Sequence, residues 1–144
     1  MAELNNVVKC FLYLDDTKDG DGISNLKLQK LAYYAQGFFS AIYGNPLFSN
    51  RIEAWAHGPV VPSLYHDYKN FGSNHIPLNS DFDRSSLTAG EFELIEEVFE
   101  VFGQFSAWKL RNMTHEESPW LEHEHNAGVI PLPEITEYFK TRLN

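Results

Sequence analysis

The sequence predicts a mainly α-helical fold, a single compact domain of about six helices with a few short strands. Two helices are strongly indicated: an apolar segment with helical periodicity spans residues 25–43, and a capped amphipathic segment follows Thr88. Segments with strand-like alternation are few and short. With 144 residues, of which 43% are hydrophobic, the chain can bury one core without a second domain. We therefore expect residues 1–144 to form one domain.

The first helix is predicted over residues 3–14, where apolar side chains recur at steps of three and four residues. The segment that follows, DDTKDGDG, is acidic and glycine-rich and resembles the start of a calcium-binding loop. With Gly20 at loop position six, however, position twelve is Leu26 in place of the glutamate that binds calcium through both oxygens. We interpret this segment as a solvated turn.

The central helix is predicted over residues 25–43. Ser24 suits the N-cap position, and Ile23 and Leu28 have the spacing of a hydrophobic staple. One continuous apolar face must be buried; it consists of Leu28, Leu31, Ala32, Ala35, Phe38, Phe39 and Ile42. Two narrower polar stripes interrupt the apolar surface, and they consist of Lys27, Gln29, Lys30 and Gln36.

A short strand followed by a helix is predicted next. Apolar and polar side chains alternate over residues 51–56, which is typical of a strand, and Gly58 ends it. Pro59 is then predicted to open a helix, because proline suits the first helical position, and Gly72 follows where that helix would end. A second short strand is predicted at residues 75–78.

The rest of the chain is predicted to be a loop over residues 79–86 followed by helices. Thr88 and Glu91 have the spacing of a capping box, and Gly103 ends the helix that they begin. Three further segments carry helix signals: Ser106 to Met113, a helix started by Ser118 and Pro119, and an amphipathic segment from Ile135 to Leu143. The segment at 128–131 is a further candidate strand.

Composition excludes several classes of function. A net charge of −9, with 11 basic against 20 acidic residues, argues against a nucleic-acid partner, whose backbone is bound mainly by cations. The single Cys10 excludes an internal disulfide, and no apolar run is long enough to span a membrane. The N-terminus does not resemble a signal peptide. We expect a soluble, cytoplasmic protein without a membrane partner.

His57 is the first candidate for chemistry, because it lies between a predicted strand and a helix start, where backbone amides favour anions. No nucleophile or carboxylate stands at a characteristic spacing from it. We therefore favour the interpretation that His57 fixes the turn by hydrogen bonding over a ligand-binding or acid/base role.

Metal-binding side chains are dense near residue 115 and beyond: His115, Glu116, Glu117, Glu122, His123, Glu124 and His125. HEESPW is not HExxH, and His123 and His125 would diverge on a helix. We predict no metal site and no cofactor, and the phosphate-binding and nucleophile-elbow motifs of common enzymes are absent from the sequence. The three tryptophans are interpreted as core residues, and Cys10 as a small hydrophobic residue.

Three segments together resemble the Panacea domain, the SocA-like antitoxin family often labelled phage-associated protein. They are ISNLKLQKLAYYAQGFF at 23–39, LFSNRIEAWAHGPVVPSLYHDYK at 47–69 and SAWKLRNMTHEESPW at 106–120. The patterns LKLQKLxYYAQ, EAWxHGPVxPxLY and THxExPW are specific in combination. The resemblance runs over nearly the whole chain, in order.

The resemblance implies a mainly helical antitoxin of a toxin-antitoxin system that binds and neutralises a protein toxin encoded nearby. By this resemblance we assign to a toxin-binding or motif surface Lys27, Gln29, Lys30, Tyr34, Gln36, His57, Tyr65, Thr114 and His115. We assign to the scaffold Ser24, Trp55, Gly58, Pro59, Pro119 and Trp120. An alternative function is a proteolytic adaptor that delivers the toxin to a Clp-type protease. A hydrolytic or metal-dependent enzyme using His57 or His115 is the least favoured hypothesis.

Overall fold

The computed structural model describes residues 1–78 and 81–143. This part of the chain contains seven α-helices: α1 (Leu4–Thr17), α2 (Asn25–Tyr43), α3 (Pro62–Tyr68), α4 (Ala89–Phe102), α5 (Ala107–Thr114), α6 (Ser118–Leu121) and α7 (Leu132–Lys140). Short 3-10 turns lie at Lys69–Phe71, Arg84–Ser86 and Glu124–Asn126. Three short strands, β1 (Ile52–Trp55), β2 (Gly58–Val60) and β3 (Val129–Ile130), form an antiparallel sheet in the order β2-β1-β3. The predicted mainly α fold is confirmed.

Helix α2 lies at the centre, with α1, α4, α5, α7 and the edge strand β2 packed around it. Ser24 caps its start by accepting a hydrogen bond from the Lys27 backbone N–H at 3.3 Å. Gly44 ends it in the left-handed conformation, with φ of 75°. The predicted bounds of 25–43 are therefore confirmed, and 14 of these 19 residues are buried.

Helix α4 confirms the capping box predicted at its start. The Thr88 hydroxyl accepts from the Glu91 N–H at 3.1 Å, and the Glu91 carboxylate accepts from the Thr88 N–H at 2.8 Å. Leu94, Ile95 and Val98 face the core. Local signals were sufficient here because both cap partners lie within one helical turn.

The β1–β2 hairpin corrects the prediction that Pro59 opens a helix. Pro59 lies in β2 opposite Ala54, and Trp55 pairs with Gly58 across a two-residue turn. Because β2 is an edge strand, the missing N–H of a proline is tolerated there. The following helix begins three residues later, with Pro62 at its first position.

The segment 75–78 forms less sheet than predicted. His75 makes an isolated bridge to Ser24, and the Ile76 N–H donates to the Ile23 carbonyl at 2.8 Å. Part of the predicted loop at 79–86, residues 79 and 80, lies outside the described residues. The candidate strand at 128–131 is confirmed as β3, which pairs with β1. Among the described residues, none of the helices has both the length and the apolar character needed to cross a lipid bilayer.

Candidate partner-binding site at the β1–β2 hairpin

Three side chains from two helices, α2 and α6, hold the backbone of the β1–β2 hairpin and of Val61, which follows it. Gln29 of α2 accepts from the N–H of Val61 at 2.9 Å. Lys30 of α2 donates from Nζ to the Pro59 carbonyl at 2.8 Å. Trp120 of α6 donates from its indole nitrogen to the Trp55 carbonyl at 2.7 Å. These bonds satisfy buried backbone groups and fix the hairpin on the helices.

Gly58 permits the close approach of the hairpin to α2 and α5. Its φ is +108°, a conformation that residues with a Cβ rarely adopt. A Cβ at this position would lie 2.6 Å from Cε of Lys30 and 2.8 Å from the hydroxyl oxygen of Thr114. The glycine is therefore required both by the turn and by the packing beneath it.

Lys30 is fully buried beneath the hairpin. Removal from water, together with the nearby charge of Arg111, lowers the pKa of its ammonium group to about 7. The side chain is thus held in place as a hydrogen-bond donor to the hairpin, in a site where its positive charge is costly.

Replacing Lys30 with methionine should change how stability depends on pH. In the unfolded chain the lysine pKa is about 10.4, whereas in the folded chain it is about 7. Between these values the unfolded state binds the extra proton, so the stability due to Lys30 is fully present above about pH 10 and is lost as pH falls through about 7.

We therefore expect the stability of the native chain relative to Lys30→Met to rise between pH 7 and 10, measured by urea unfolding at several pH values. The control is Lys109→Met, which alters an exposed lysine on α5 and should show no such trend. If the difference in unfolding free energy between the native chain and Lys30→Met did not change with pH, the fold would not lower the pKa of Lys30.

A cluster of exposed and partly exposed aromatic and cationic side chains lies at the turn of the same hairpin. Arg111 of α5 places its guanidinium carbon 4.3 Å from the centre of the Trp108 ring, a cation–π contact. Arg111 Nε also donates to Nδ1 of His57 at 3.4 Å. Trp108 is 56% exposed. Trp55 of β1 and Tyr65 of α3 pack edge to face, with ring centres 5.0 Å apart, and both line a cavity with His57.

We call His57, Trp108, Arg111, Trp55 and Tyr65 together the hairpin face. A cavity of about 340 Å³ opens beside the turn, and Trp55, His57 and Tyr65 contribute to its lining. Exposed tryptophan and arginine side chains on a rigid support are the composition found at the centres of protein interfaces. The hairpin face is therefore suited to contact another protein.

His115 lies behind this face and is half-buried. Its ring stacks on Trp120, with centres 3.9 Å apart and planes within 6°. Burial lowers the pKa of His115, and the charge of Arg111 adds to that effect. Its Nε2 is buried without a hydrogen-bond partner among the described residues. A neutral imidazole stacked on a buried indole is consistent with a packing role.

Burial corrects the placement of most side chains that the sequence assigned to a toxin-binding or motif surface. Six of them are buried: Lys27, Gln29, Lys30, Tyr34, Gln36 and Thr114. Only His57 is exposed, while Tyr65 and His115 are partly exposed. The Lys and Gln stripes therefore lie inside the fold, and the identity of the toxin-contacting residues stays a prediction.

The buried polar side chains of α2 instead hold loops and turns. Lys27 donates from Nζ to the Gly103 carbonyl at 2.6 Å, where α4 ends. Gln36 accepts from the Leu47 N–H and donates to the Phe48 carbonyl, both at 2.7 Å. Both side chains bond to backbone groups that lie outside the hydrogen-bonding pattern of a helix or sheet. This explains polar residues on an otherwise buried helix.

The residues assigned to the scaffold lie as follows. Ser24 caps α2, and Trp55 is partly buried in β1. Gly58, Pro59, Pro119 and Trp120 are buried. Trp108, interpreted from sequence as a core residue, is exposed instead.

Sequence reasoning missed Glu117, which is the centre of a buried polar network. It accepts from the hydroxyl groups of Tyr33 at 2.9 Å and Tyr34 at 2.7 Å, and from Nη1 of Arg142 at 3.3 Å. Burial raises the pKa of the Glu117 carboxyl despite these three donors. A signal was present, because Glu117 is the acidic position of THxExPW. Arg111 gave no comparable signal.

Comparison with known proteins decides the family. A family model described as "Antitoxin SocA-like, Panacea domain" matches residues 28–121, more than half of the chain. The chain belongs to the SocA-like Panacea antitoxin family. The protein named Antitoxin SocA from Caulobacter vibrioides (strain NA1000 / CB15N) is similar to it, with 34% identity over 110 residues. No solved structure matches the chain significantly.

The matched region covers 68% of this chain and 58% of the Caulobacter relative, so the chain spans less than two thirds of that protein's length. Within this Panacea chain the family match includes the hairpin and Glu117 but not α1 or α7. Even so, α7 packs on α2 through Phe139, whose ring centre lies 5.4 Å from that of Tyr33.

A cluster of possible metal ligands and the single cysteine of this Panacea chain bear on the hypothesis that it is an enzyme. The ligand atoms of Glu122, His123 and Glu134 lie within 4.8 Å of one another, and Nε2 of His123 is already paired with Glu134 at 2.8 Å. Cys10 is buried, and burial raises the pKa of its thiol to about 12. A thiol that stays protonated at neutral pH is a weak nucleophile.

Proposed function

We propose that this Panacea chain is a non-enzymatic antitoxin that neutralises a cognate protein toxin by direct binding through the hairpin face. Family membership supports the antitoxin role, since the family and the Caulobacter relative both carry that name. The observation that supports this binding surface is the exposed Trp108–Arg111–His57 cluster, held over a hairpin that α2 and α6 anchor.

The architecture favours recognition by a preformed surface. The hydrogen bonds from Gln29, Lys30 and Trp120 fix the hairpin before any partner arrives. Little conformational entropy is then lost when a partner binds, which favours affinity. We include all of residues 1–144 in the functional domain, because α1 and α7 both pack on α2.

Replacing Trp108 with alanine should abolish or sharply reduce protection against the toxin while leaving the fold intact. Truncation of a tryptophan at an interface centre typically costs about 2 kcal/mol or more, close to a thirtyfold loss of affinity. Because Trp108 is 56% exposed, its removal should leave no large internal cavity. The matched control is Tyr43→Ala. It removes a 48% exposed aromatic side chain from the C-terminal end of α2, outside the hairpin face.

The measurement is survival of cells that co-express the adjacent toxin gene with each variant, together with the affinity of the purified pair. Full protection by Trp108→Ala, with unchanged affinity, would exclude the hairpin face as the toxin-binding surface. Toxin lifetime is followed in the same cells with and without a Clp-type protease. If the toxin is neutralised only when the protease is present, the mechanism is delivery of the toxin for degradation and not direct inhibition.

A further inference from the structure

A second surface, far from the hairpin turn, exposes large apolar side chains in one place. Ile42, which the sequence placed on the buried face of α2, is instead 49% exposed, and Val101 is 50% and Leu143 39% exposed. They border a groove of about 370 Å³ formed by the C-terminal half of α2, by α4 and by the chain after α7. The remaining apolar lining consists of Phe38, Leu94, Val98 and Phe102. Contiguous exposed apolar side chains of this kind mark binding sites in soluble proteins.

The α4 wall of the groove has the spacing of a helix-packing surface. Leu94, Glu97, Val98 and Val101 all line the groove, at relative positions i, i+3, i+4 and i+7. Leu94 and Val98 turn toward the core, whereas Val101 continues the same stripe into solvent. A helix laid along this stripe would bury the side chains that the fold leaves exposed.

Charged side chains lie along the edge of the groove. Glu97 lines it on α4, and Glu93 lies one helical turn earlier on the same helix. Arg142 lines it after α7 and is paired with Glu117 at 3.3 Å. Glu93 and Glu97 are exposed, and neither forms an ion pair with any residue in the ranges 1–78 and 81–143. Two other glutamates of α4 do form ion pairs: Glu96 lies 3.6 Å and Glu100 3.1 Å from Nζ of Lys18. Because the charge of Arg142 is paired with Glu117, the α4 side leaves the carboxylates of Glu97 and the adjacent Glu93 without an ion pair among the described residues, beside an apolar floor.

We propose that this groove binds an amphipathic α-helix of a partner protein, with leucine-like residues on one face and lysine or arginine beside them. The apolar face would lie on Phe38, Val98 and Val101, and the cations would pair with Glu93 and Glu97. The chain's net charge of −9 also favours encounter with a basic partner.

Charge argues against a second copy of this chain as the occupant. A copy carries the same net charge of −9, and its own exposed helical faces are acidic or mixed, as in α4 and in α7 with Glu134, Glu137 and Lys140. This proposal goes beyond toxin neutralisation through the hairpin face and does not depend on it.

The test measures binding of a defined probe to the full chain. The probe is a fluorescent synthetic peptide of about 18 residues, roughly five helical turns, with leucines at i, i+3, i+4 and i+7 and lysines on the flanks. A scrambled peptide of the same composition and a peptide with glutamate in place of lysine serve as probe controls. Fluorescence anisotropy should show saturable binding of the helical basic peptide alone, weakened by added salt.

Two variants locate the site. Val101→Ser should weaken peptide binding by about tenfold, and Glu93→Gln with Glu97→Gln should weaken it by about threefold and reduce its salt dependence. The matched controls are Val129→Ser, at a valine with 49% exposure on β3, and Glu137→Gln on α7, and both should bind as the native chain does. Circular dichroism confirms that each variant is folded.

Three results would overturn the proposal. The first is equal binding of the scrambled peptide, and the second is unchanged peptide binding by Val101→Ser. The third is self-association of the native chain in sedimentation velocity that is lost in Val101→Ser, because a second copy would then be the occupant of the groove. Failure here is separate from failure of the proposed function, because Trp108→Ala should leave peptide binding unchanged and Val101→Ser leaves the hairpin face intact.

Discussion

Replacing Glu117 with alanine should destabilise the fold by about 3–5 kcal/mol, because two buried hydroxyl groups lose their acceptor at about 1–3 kcal/mol each and a partly buried ion pair is broken. Glu117 accepts from Tyr33, Tyr34 and Arg142, and both tyrosines are completely buried. The alanine variant would leave the two buried hydroxyl groups without their acceptor, in a place that water does not reach freely, and would remove one partner of the partly exposed Arg142. Thermal unfolding should show a melting temperature lower by roughly 10 °C.

The matched control is Glu116→Ala, because Glu116 is the exposed neighbour of Glu117 in the same turn. It should change stability by less than about 0.5 kcal/mol. Equal effects of the two substitutions would mean that the network contributes nothing specific to the fold.

The pH dependence of Glu117→Gln gives a second test of the same network. Burial raises the pKa of Glu117 in the folded chain above the value of 4.5 for a free side chain. Between these two values the folded state holds a proton that the unfolded state has released, so the stability contribution of Glu117 falls as pH rises. This proton-linked part of the stability is fully present below pH 4.5 and lost as pH passes the folded pKa; it is separate from the hydrogen bonds that Glu117 accepts from Tyr33, Tyr34 and Arg142.

Glutamine cannot titrate, so the stability of the native chain relative to Glu117→Gln should decline as pH rises above 4.5. Urea unfolding at a series of pH values measures this difference. A difference that instead increased with pH would show that the three donors outweigh burial and lower the pKa.

Elements with local start signals could be predicted from sequence. Ser24 caps α2, and Thr88 with Glu91 caps α4, through contacts that lie within one helical turn. The β1–β2 hairpin could not be placed in the same way. Pro59 and Pro62 both satisfy the local rule for a helix start, and the choice depends on bonds from Gln29 and Lys30, which lie about 30 residues away along the chain.

The candidate site was harder to predict for a related reason. A lysine such as Lys30 is usually exposed, and its burial depends on the Pro59 carbonyl, which the fold brings to it. Likewise, Trp108 and Trp120 look alike in sequence, yet Trp120 donates to the Trp55 carbonyl and is buried while Trp108 is exposed. The motif segments were recognised correctly as a group, but which members form the surface depends on contacts distant in sequence.

Replacing Gly58 with alanine should also have a large effect, about 3 kcal/mol of destabilisation. A backbone held in a sparsely populated conformation costs about 1–3 kcal/mol, and overpacking a filled site costs a similar amount. Both apply here, since φ is +108° and the added Cβ would meet Lys30 and Thr114 at less than 3 Å. Relief of the contact would require the hairpin to move away from α2, which would weaken the bond from Lys30 to Pro59.

Gly44→Ala is the control that separates packing from backbone strain. Gly44 also has a positive φ, +75°, but no atom of the described residues lies within 4 Å of the position that its Cβ would occupy. Its replacement should cost only about 1 kcal/mol, the left-handed penalty alone. Urea unfolding of both variants measures the difference. If Gly58→Ala cost no more than Gly44→Ala, the hairpin would be loosely held, and the preformed hairpin face would lose its physical basis.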